Sequence, residues 1–288
     1  MSASSSNVDM ELLLNESWRS TNLPDIIKKQ PDVEKFLGKN RDSNIIPKLE
    51  NTFRALNEMS SVSECKVVIF GQDPYPREES AIGIAFYDGQ IKKWTDAMSP
   101  SFRNIVKNVL IGTGHLNSSD KVETMRKQIA KLKLLDPPDW FEYTMKQNVL
   151  WLNTALTFSG TDKNELNKHT KFWAPIVEGI VETLVKESTK GLVFVLWGGN
   201  AKKLKTMINK VAKKGTKKVE FVEANHPAVE SFNDVQSFTK VNEALKKLGH
   251  EEIDWLGTEK KRKEAPSSSS STEDEETTGE SSNKKAKK

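Results

Sequence analysis

The sequence is poor in the residues that most often betray a chemistry. It has one cysteine, Cys65, so no internal disulfide can form, and only four histidines, scattered at 115, 169, 226 and 250. No CxxC or HxxxH pair occurs, which excludes the common zinc frameworks and leads us to expect metal-free, cofactor-free chemistry in a reducing compartment. No apolar run approaches the length of a membrane span, so no membrane partner is expected. The opening stretch, MSASSSNVDMELLL, has no basic segment ahead of its leucines and carries Asp9 and Glu11. It fits neither a secretory signal nor a mitochondrial or other transit peptide. A strong charge bias is missing too: 44 Lys and Arg stand against 40 Asp and Glu, a formal net charge of +4. That balance leans toward an anionic partner without establishing one.

What is present suffices for one core. Of 288 residues, 36% are hydrophobic, enough for one sizeable domain and too few for two full ones. Composition predicts a flexible N-terminus at 1–8, a folded domain over 9–257 and a disordered tail over 258–288. From Glu259 onward, EKKRKEAPSSSSSTEDEETTGESSNKKAKK offers no large apolar residue to bury. The basic clusters KKRK (260–263) and KKAKK (284–288) are similar to nuclear-import signals flanking a phosphorylatable segment; the alternative is a solubilising tail.

Four short runs, KVVIF (66–70), NVLWLN (148–153), GLVFVLW (191–197) and VEFVEA (219–224), are of the β-branched and aromatic kind that a parallel sheet buries on both faces. Helical patterns alternate with them: Ser99 and Pro100 open one, 172–187 forms a second and 238–249 a third. The prediction is a single α/β domain with a central, mostly parallel four-stranded sheet flanked by helices. In such sheets ligands bind beyond the carboxyl ends of the strands. Each run is followed at once by polar or glycine-rich punctuation: GQDPYP, Asn153 in LNTALT, GGNA and NHPAVES. Taken singly, each is an ordinary turn or cap. Together they place an aspartate, an asparagine, a glycine pair and a histidine on one rim.

The motifs VVIFGQDPYP, GIAFYD, LWLNTALT, GLVFVLWGGNAKK, NHPAVES and IDW, in this order between Trp18 and Trp255, resemble the family 1 uracil-DNA glycosylases. The resemblance implies an enzyme that flips a uracil nucleotide out of single- or double-stranded DNA and hydrolyses its N-glycosidic bond, leaving an abasic site for base excision repair. It implies no cofactor and monomeric behaviour. By the same resemblance, Asp73 is the carboxylate that stabilises the sugar cation and orients water, and His226 donates to uracil O2 as charge collects there. Asn153 reads uracil N3 and O4, a pattern that cytosine reverses. Phe86 stacks on the flipped base, Tyr75 guards C5 against a thymine methyl, and Gln72 offers its backbone amide. DNA contacts fall to Ser101, to Gly198 and Gly199, and to Pro227, Ala228, Val229, Glu230 and Ser231.

The sequence departs from the commonest family pattern at four places. Pro76 stands where a histidine contacts phosphate, as also in poxviral members; Gly199 stands where a serine does. The proline-rich run before the first helix is reduced to DAMSPS. Glu230 occupies the position of an apolar wedge that fills the vacated base stack. These departures leave open a shifted substrate range favouring single strands or a modified uracil. They also leave open a DNA-binding or replication accessory protein of the same fold with weak or altered glycosylase activity.

Overall fold

The four apolar runs become four parallel strands, β1 (Val67–Gly71), β2 (Val149–Asn153), β3 (Leu192–Trp197) and β4 (Val219–Ala224), in the order β2-β1-β3-β4. The computed structural model describes residues 8–215 and 217–264. Every residue of β1, β2 and β3 is buried, which is why these runs read as continuously apolar rather than alternating. β4 lies at the end of the sheet and only Val222 and Ala224 are buried in it; Glu220 and Glu223 pair with Lys247 and Lys205 from the flanking helices. The chain steps from β1 outward to β2, then crosses back to β3 on the other side of β1. The direction of winding therefore reverses between β1 and β3, and the crevice beyond their carboxyl ends is the switch point of the sheet.

Register does the local positioning. β1 and β2 pair so that Gly71 lies opposite Asn153, and β1 and β3 pair so that Phe70 lies opposite Leu196. The helix Pro100–Gly112 begins as its sequence indicates, with Pro100 in the first turn and the Ser99 hydroxyl accepting from Phe102 N at 3.2 Å. It buries Phe102, Ile105, Val106, Val109 and Leu110 against an aromatic cluster with Trp94, Trp140, Phe141 and Trp151. The helix expected at 172–187 starts nine residues earlier and spans Lys163–Glu187, with Pro175 inside it. Its true start is the Asp162 side chain, which accepts from Asn164 N and Glu165 N. The third expected helix is Ser237–Lys247.

Two boundaries differ from expectation. Val8 is buried, and Asp9 caps the helix Met10–Leu13, so residue 8 belongs to the fold rather than to the expected flexible segment. At the other end the chain stays ordered past 257. Leu135 N donates to Gly257 O at 2.8 Å, Glu259 N to Lys133 O at 3.1 Å, and Glu259–Glu264 is helical with Lys261 paired to Asp254 at 2.9 Å. The first basic cluster thus lies in a docked helix, and the remainder of the expected tail, including 284–288, falls outside the described residues.

Candidate active site

A cavity of about 270 Å³ opens at the switch point, lined by Phe70, Gly71, Gln72, Phe86, Thr154, Trp197, Gly199, Asn200, Ala201 and His226. It lies just below the range of about 300–1,000 Å³ typical of clefts for drug-sized ligands, a scale suited to one base. A larger cavity of about 590 Å³, around Phe36, Arg41, His169 and Phe172, is lined by none of the expected site residues.

The cavity's floor is set by close approaches that glycine alone permits. A Cβ on Gly71 would lie 2.3 Å from Asn153 Oδ1, so the amide of Asn153 occupies the space over the end of β1. Asn153 is buried with only 8% of its surface exposed, where a polar amide must find partners from whatever enters. Gly198 has φ of +83°, and its missing side chain leaves room for His226, whose Cβ would be 3.0 Å from a Cβ placed there. Phe86 is held at φ 64°, a left-handed conformation costly for a bulky side chain. Its ring leans against Trp151 and Trp197 at centroid distances of 6.4 and 5.6 Å, and Ala85 N ties the segment to Trp151 O at 3.1 Å.

The loop after β1 is fixed on both sides. Gln72 O accepts from Thr154 Oγ1 and Ala155 N, both at 2.9 Å, which binds it to the loop after β2. The Tyr75 hydroxyl donates to Phe86 O at 3.2 Å and meets Ser99 Oγ at 3.3 Å, which links it to the cap of the helix Pro100–Gly112. Ser101 lies half-buried in that helix's first turn. Between these anchors Asp73 is half-buried. Burial pushes its carboxyl above the usual carboxylate range, opposed by hydrogen bonds from Gln72 and from its own backbone N–H.

The loop after β4 brings His226. Its Nδ1 accepts from Ala228 N at 3.1 Å, so in the neutral ring the proton sits on Nε2. Partial burial lowers its pKa and favours that neutral form. The loop is held by two asparagines of the helix Pro100–Gly112. Asn104 donates to Pro227 O at 2.7 Å, and buried Asn108 donates to Val235 O at 2.8 Å while accepting from Ser237 N at 3.0 Å. Pro227 is buried; Ala228, Val229 and Glu230 are exposed, and Asn225 donates to Ser231 Oγ at 2.9 Å. Val229, 47% exposed, is one of two large hydrophobic residues exposed among the described residues, while Glu230 begins the 3-10 turn Glu230–Asp234.

The structure therefore brings Gln72, Phe86, Gly199 and His226 around one cavity; Asn153 does not line it but sets its amide oxygen beside Gly71, which does, and Asp73 and Tyr75 follow Gln72 on the loop after β1. The model of the uracil DNA glycosylase superfamily matches residues 59–248, which contain all of these. The chain belongs to that superfamily. It is 33% identical over 231 residues to a uracil-DNA glycosylase of Clostridioides difficile, covering 78% of this chain and 88% of that one. To a uracil-DNA glycosylase of Bacillus pumilus it is 31% identical over 257 residues, covering 85% and 97%. Among solved structures, that of the wild-type UNG from Nitratifractor salsuginis is similar with a TM-score of 0.67 and 26% identity, covering 83% of this chain and 94% of that one. Within this superfamily member, Asn104 and Asn108 are site-building residues that no local sequence pattern marks, and Thr154 and Asn200 lie in the motifs LNTALT and GGNA without a role of their own being read there. Each acts on a partner in another element, and a lone asparagine or threonine in a loop or helix carries no periodic signal.

Proposed function

We propose that this chain is a uracil-DNA glycosylase of the family 1 type, which excises uracil from DNA by hydrolysis. The observation that supports it most is the meeting of Gln72, Phe86 and His226 at one base-sized cavity on the β1/β3 switch point, with the Asn153 amide beside Gly71 and Asp73 next to Gln72. An extruded base stacks on Phe86, while the Asn153 amide accepts from uracil N3–H and donates to O4. Cytosine offers an acceptor and a donor in the reverse places and leaves a buried amide unpaired, the strongest form of rejection. Tyr75, hydrogen-bonded to the Phe86 carbonyl and so held at the rim, excludes a thymine methyl at C5.

As the C1′–N1 bond breaks, its electron pair leaves with the base and collects partly on O2. There the neutral His226, with Nε2–H outward, stabilises the anion, a contribution of about 2.7–4 kcal/mol for one well-placed donor. The Asp73 carboxylate faces the cation left on the sugar. Water adds its oxygen to C1′ and its proton passes to Asp73, giving an abasic sugar and the uracil anion; Asp73 then releases that proton to solvent, from which the departed base takes one to become neutral uracil. Ser101, Gly198, Gly199 and the 227–231 loop are the proposed DNA-backbone contacts. With no side-chain phosphate donor at Pro76 or Gly199 and the carboxylate of Glu230 at the wedge position, we place single-stranded DNA as the preferred substrate.

The decisive assay is release of uracil from single- and double-stranded oligonucleotides, alongside DNA binding, by the wild type, Asp73→Asn and His226→Leu. Losses of two orders of magnitude or more with binding retained are expected. Binding without cleavage by the wild type would establish the accessory-protein reading instead. Nuclear import by the clusters at 260–263 and 284–288 is a further part of the proposal, and it rests on sequence alone. Its test joins a chain ending at 264, which removes only the 284–288 cluster, with glutamine substitutions at 260–263, since a cut at Leu256 would remove the docked residues Gly257, Glu259 and Lys261.

A further inference from the structure

One polar contact spans the mouth of the cavity. Asn200, on the short helix Gly198–Lys202 that follows β3, donates through Nδ2 to Gln72 Oε1 at 3.0 Å, on the loop that follows β1. The contact continues at both ends. Lys203 Nζ approaches Asn200 Oδ1 at 3.4 Å, and Gln72 Nε2 approaches Asp73 Oδ2 at 3.5 Å. Polarity fixes the direction of the whole chain. An ammonium can only donate, so Asn200 turns its oxygen to Lys203 and its NH₂ to Gln72. Gln72 must then present Oε1 to Asn200, and its own NH₂ is left facing a carboxylate that only accepts. No amide in the series can flip without setting like groups against each other at both of its ends.

We propose that Asn200 and Gln72 are positioning residues for hydrolysis, a directional relay from Lys203 that pins the Asp73 oxygen Oδ2 and leaves Oδ1 free to face the water and the sugar. This rests on the assignment of Asp73 as the reacting carboxylate. Neither amide touches the bond that breaks. Their role is to choose one rotamer of a half-buried aspartate that has no ion pair among the described residues. The relay also gives a use to the glycine preceding Asn200. With no side chain at Gly199, and nothing within 4 Å of where one would be, the cavity mouth stays open beside the bridge.

The test separates turnover from binding. Steady-state kcat and KM on a uracil-containing single-stranded oligonucleotide are measured near pH 8 for Asn200→Leu, Asn200→Asp, Lys203→Met and Asp73→Asn. Asn200→Leu removes the donor and should lower kcat roughly three- to tenfold, the scale of one hydrogen bond, with KM little changed. Asn200→Asp is nearly isosteric but can only accept. It forces Gln72 to turn its NH₂ away from Asp73 and its carbonyl toward it, so kcat should fall further than in Asn200→Leu. Lys203→Met frees the orientation of Asn200 and should cost less than either. A residue that merely touches DNA would move KM alone; an unchanged kcat in both Asn200 variants overturns the relay. So does an Asn200→Asp enzyme with higher kcat than Asn200→Leu, because the direction of the chain would then not matter. Asp73→Asn separates the two levels: if it retains wild-type kcat, the assignment of Asp73 fails, whereas a dead Asp73→Asn beside normal Asn200 variants removes the relay only. Asn200 is exposed, and thermal midpoints close to wild type check that each variant is folded.

Discussion

Replacing Gly71 by alanine tests how the base-reading amide is held. A Cβ at Gly71 would lie 2.3 Å from Asn153 Oδ1 and 2.9 Å from Ala85 Cβ, where real contacts do not fall below 3.0 Å. Ala85 cannot give way, because its N–H is bonded to Trp151 O at 3.1 Å in the buried interior of β2. The Asn153 amide must therefore retreat by at least about 0.7 Å, which stretches hydrogen bonds of about 2.9 Å past the limit at which they count. Asn153 is assigned two such bonds to uracil. At about 0.5–1.5 kcal/mol each, their loss is about 1–3 kcal/mol, or roughly 5- to 150-fold in kcat/KM. Overpacking should also cost about 1–3 kcal/mol of stability. The assay is kcat/KM on a uracil oligonucleotide with thermal unfolding in parallel, completed as a double-mutant cycle with Asn153→Ala. If Gly71→Ala acts through the displaced amide, it adds little to the loss already caused by Asn153→Ala. A folded Gly71→Ala enzyme with wild-type kcat/KM, or full additivity in the cycle, would refute the reasoning.

Three further perturbations bear on other parts of the molecule. Tyr75→Ala opens the C5 side of the cavity and should let thymine be released slowly while uracil release persists; activity on uracil with no thymine release, even from single strands, removes the assigned role. His169 is buried and its pKa is lowered by that burial, and it lies 2.8 Å from both Thr157 Oγ1 and Ser159 Oγ. Below its unfolded value of about 6.5 the unfolded chain binds more protons than the folded one, so stability should be greatest above neutrality and fall as pH drops toward 5. His226 acts in the same direction and Asp73, with a raised pKa, in the opposite one; a melting profile no flatter in His169→Gln than in wild type would sink the attribution. At the loop tip, Glu230→Leu should improve cleavage of duplex more than of single strands, and Val229→Ser should impair duplex more; at fixed salt, equal effects on both substrates would point to general charge or packing instead.

The strands were legible because burial on both faces leaves an unbroken apolar run, and the runs coincide with β1–β4 to within a residue at either end. Their carboxyl-end punctuation was legible for the same reason: a strand buried on both faces stays apolar along its length, so Asn153, the last residue of β2, stands out against Leu150–Leu152. The long helix was misread at its start because Pro175 resembles a first-turn proline, and a helix running through proline is held by tertiary packing rather than by local preference. The signal that would have corrected it is Asp162 with Glu165 three residues on. The helix Glu259–Glu264 was illegible, since it docks through backbone groups and one ion pair and offers no apolar face to read. Asn104, Asn108 and Asn200 escaped for a related reason. Their partners lie between 123 and 129 residues away in the sequence, and a single amide says nothing of which distant loop it will tether.

The polar end strand β4 has a consequence for how the protein behaves in concentrated solution. Its outer edge offers unpaired backbone groups to any passing strand, and what opposes further pairing is the placement of Glu220 and Glu223, each matched to a lysine from a helix. Surface charges at this sheet margin should therefore bear on solubility during refolding or concentration. Replacing both glutamates with valine would extend the apolar character of β1–β3 to the margin and create a template for aggregation, without altering a single residue of the cavity.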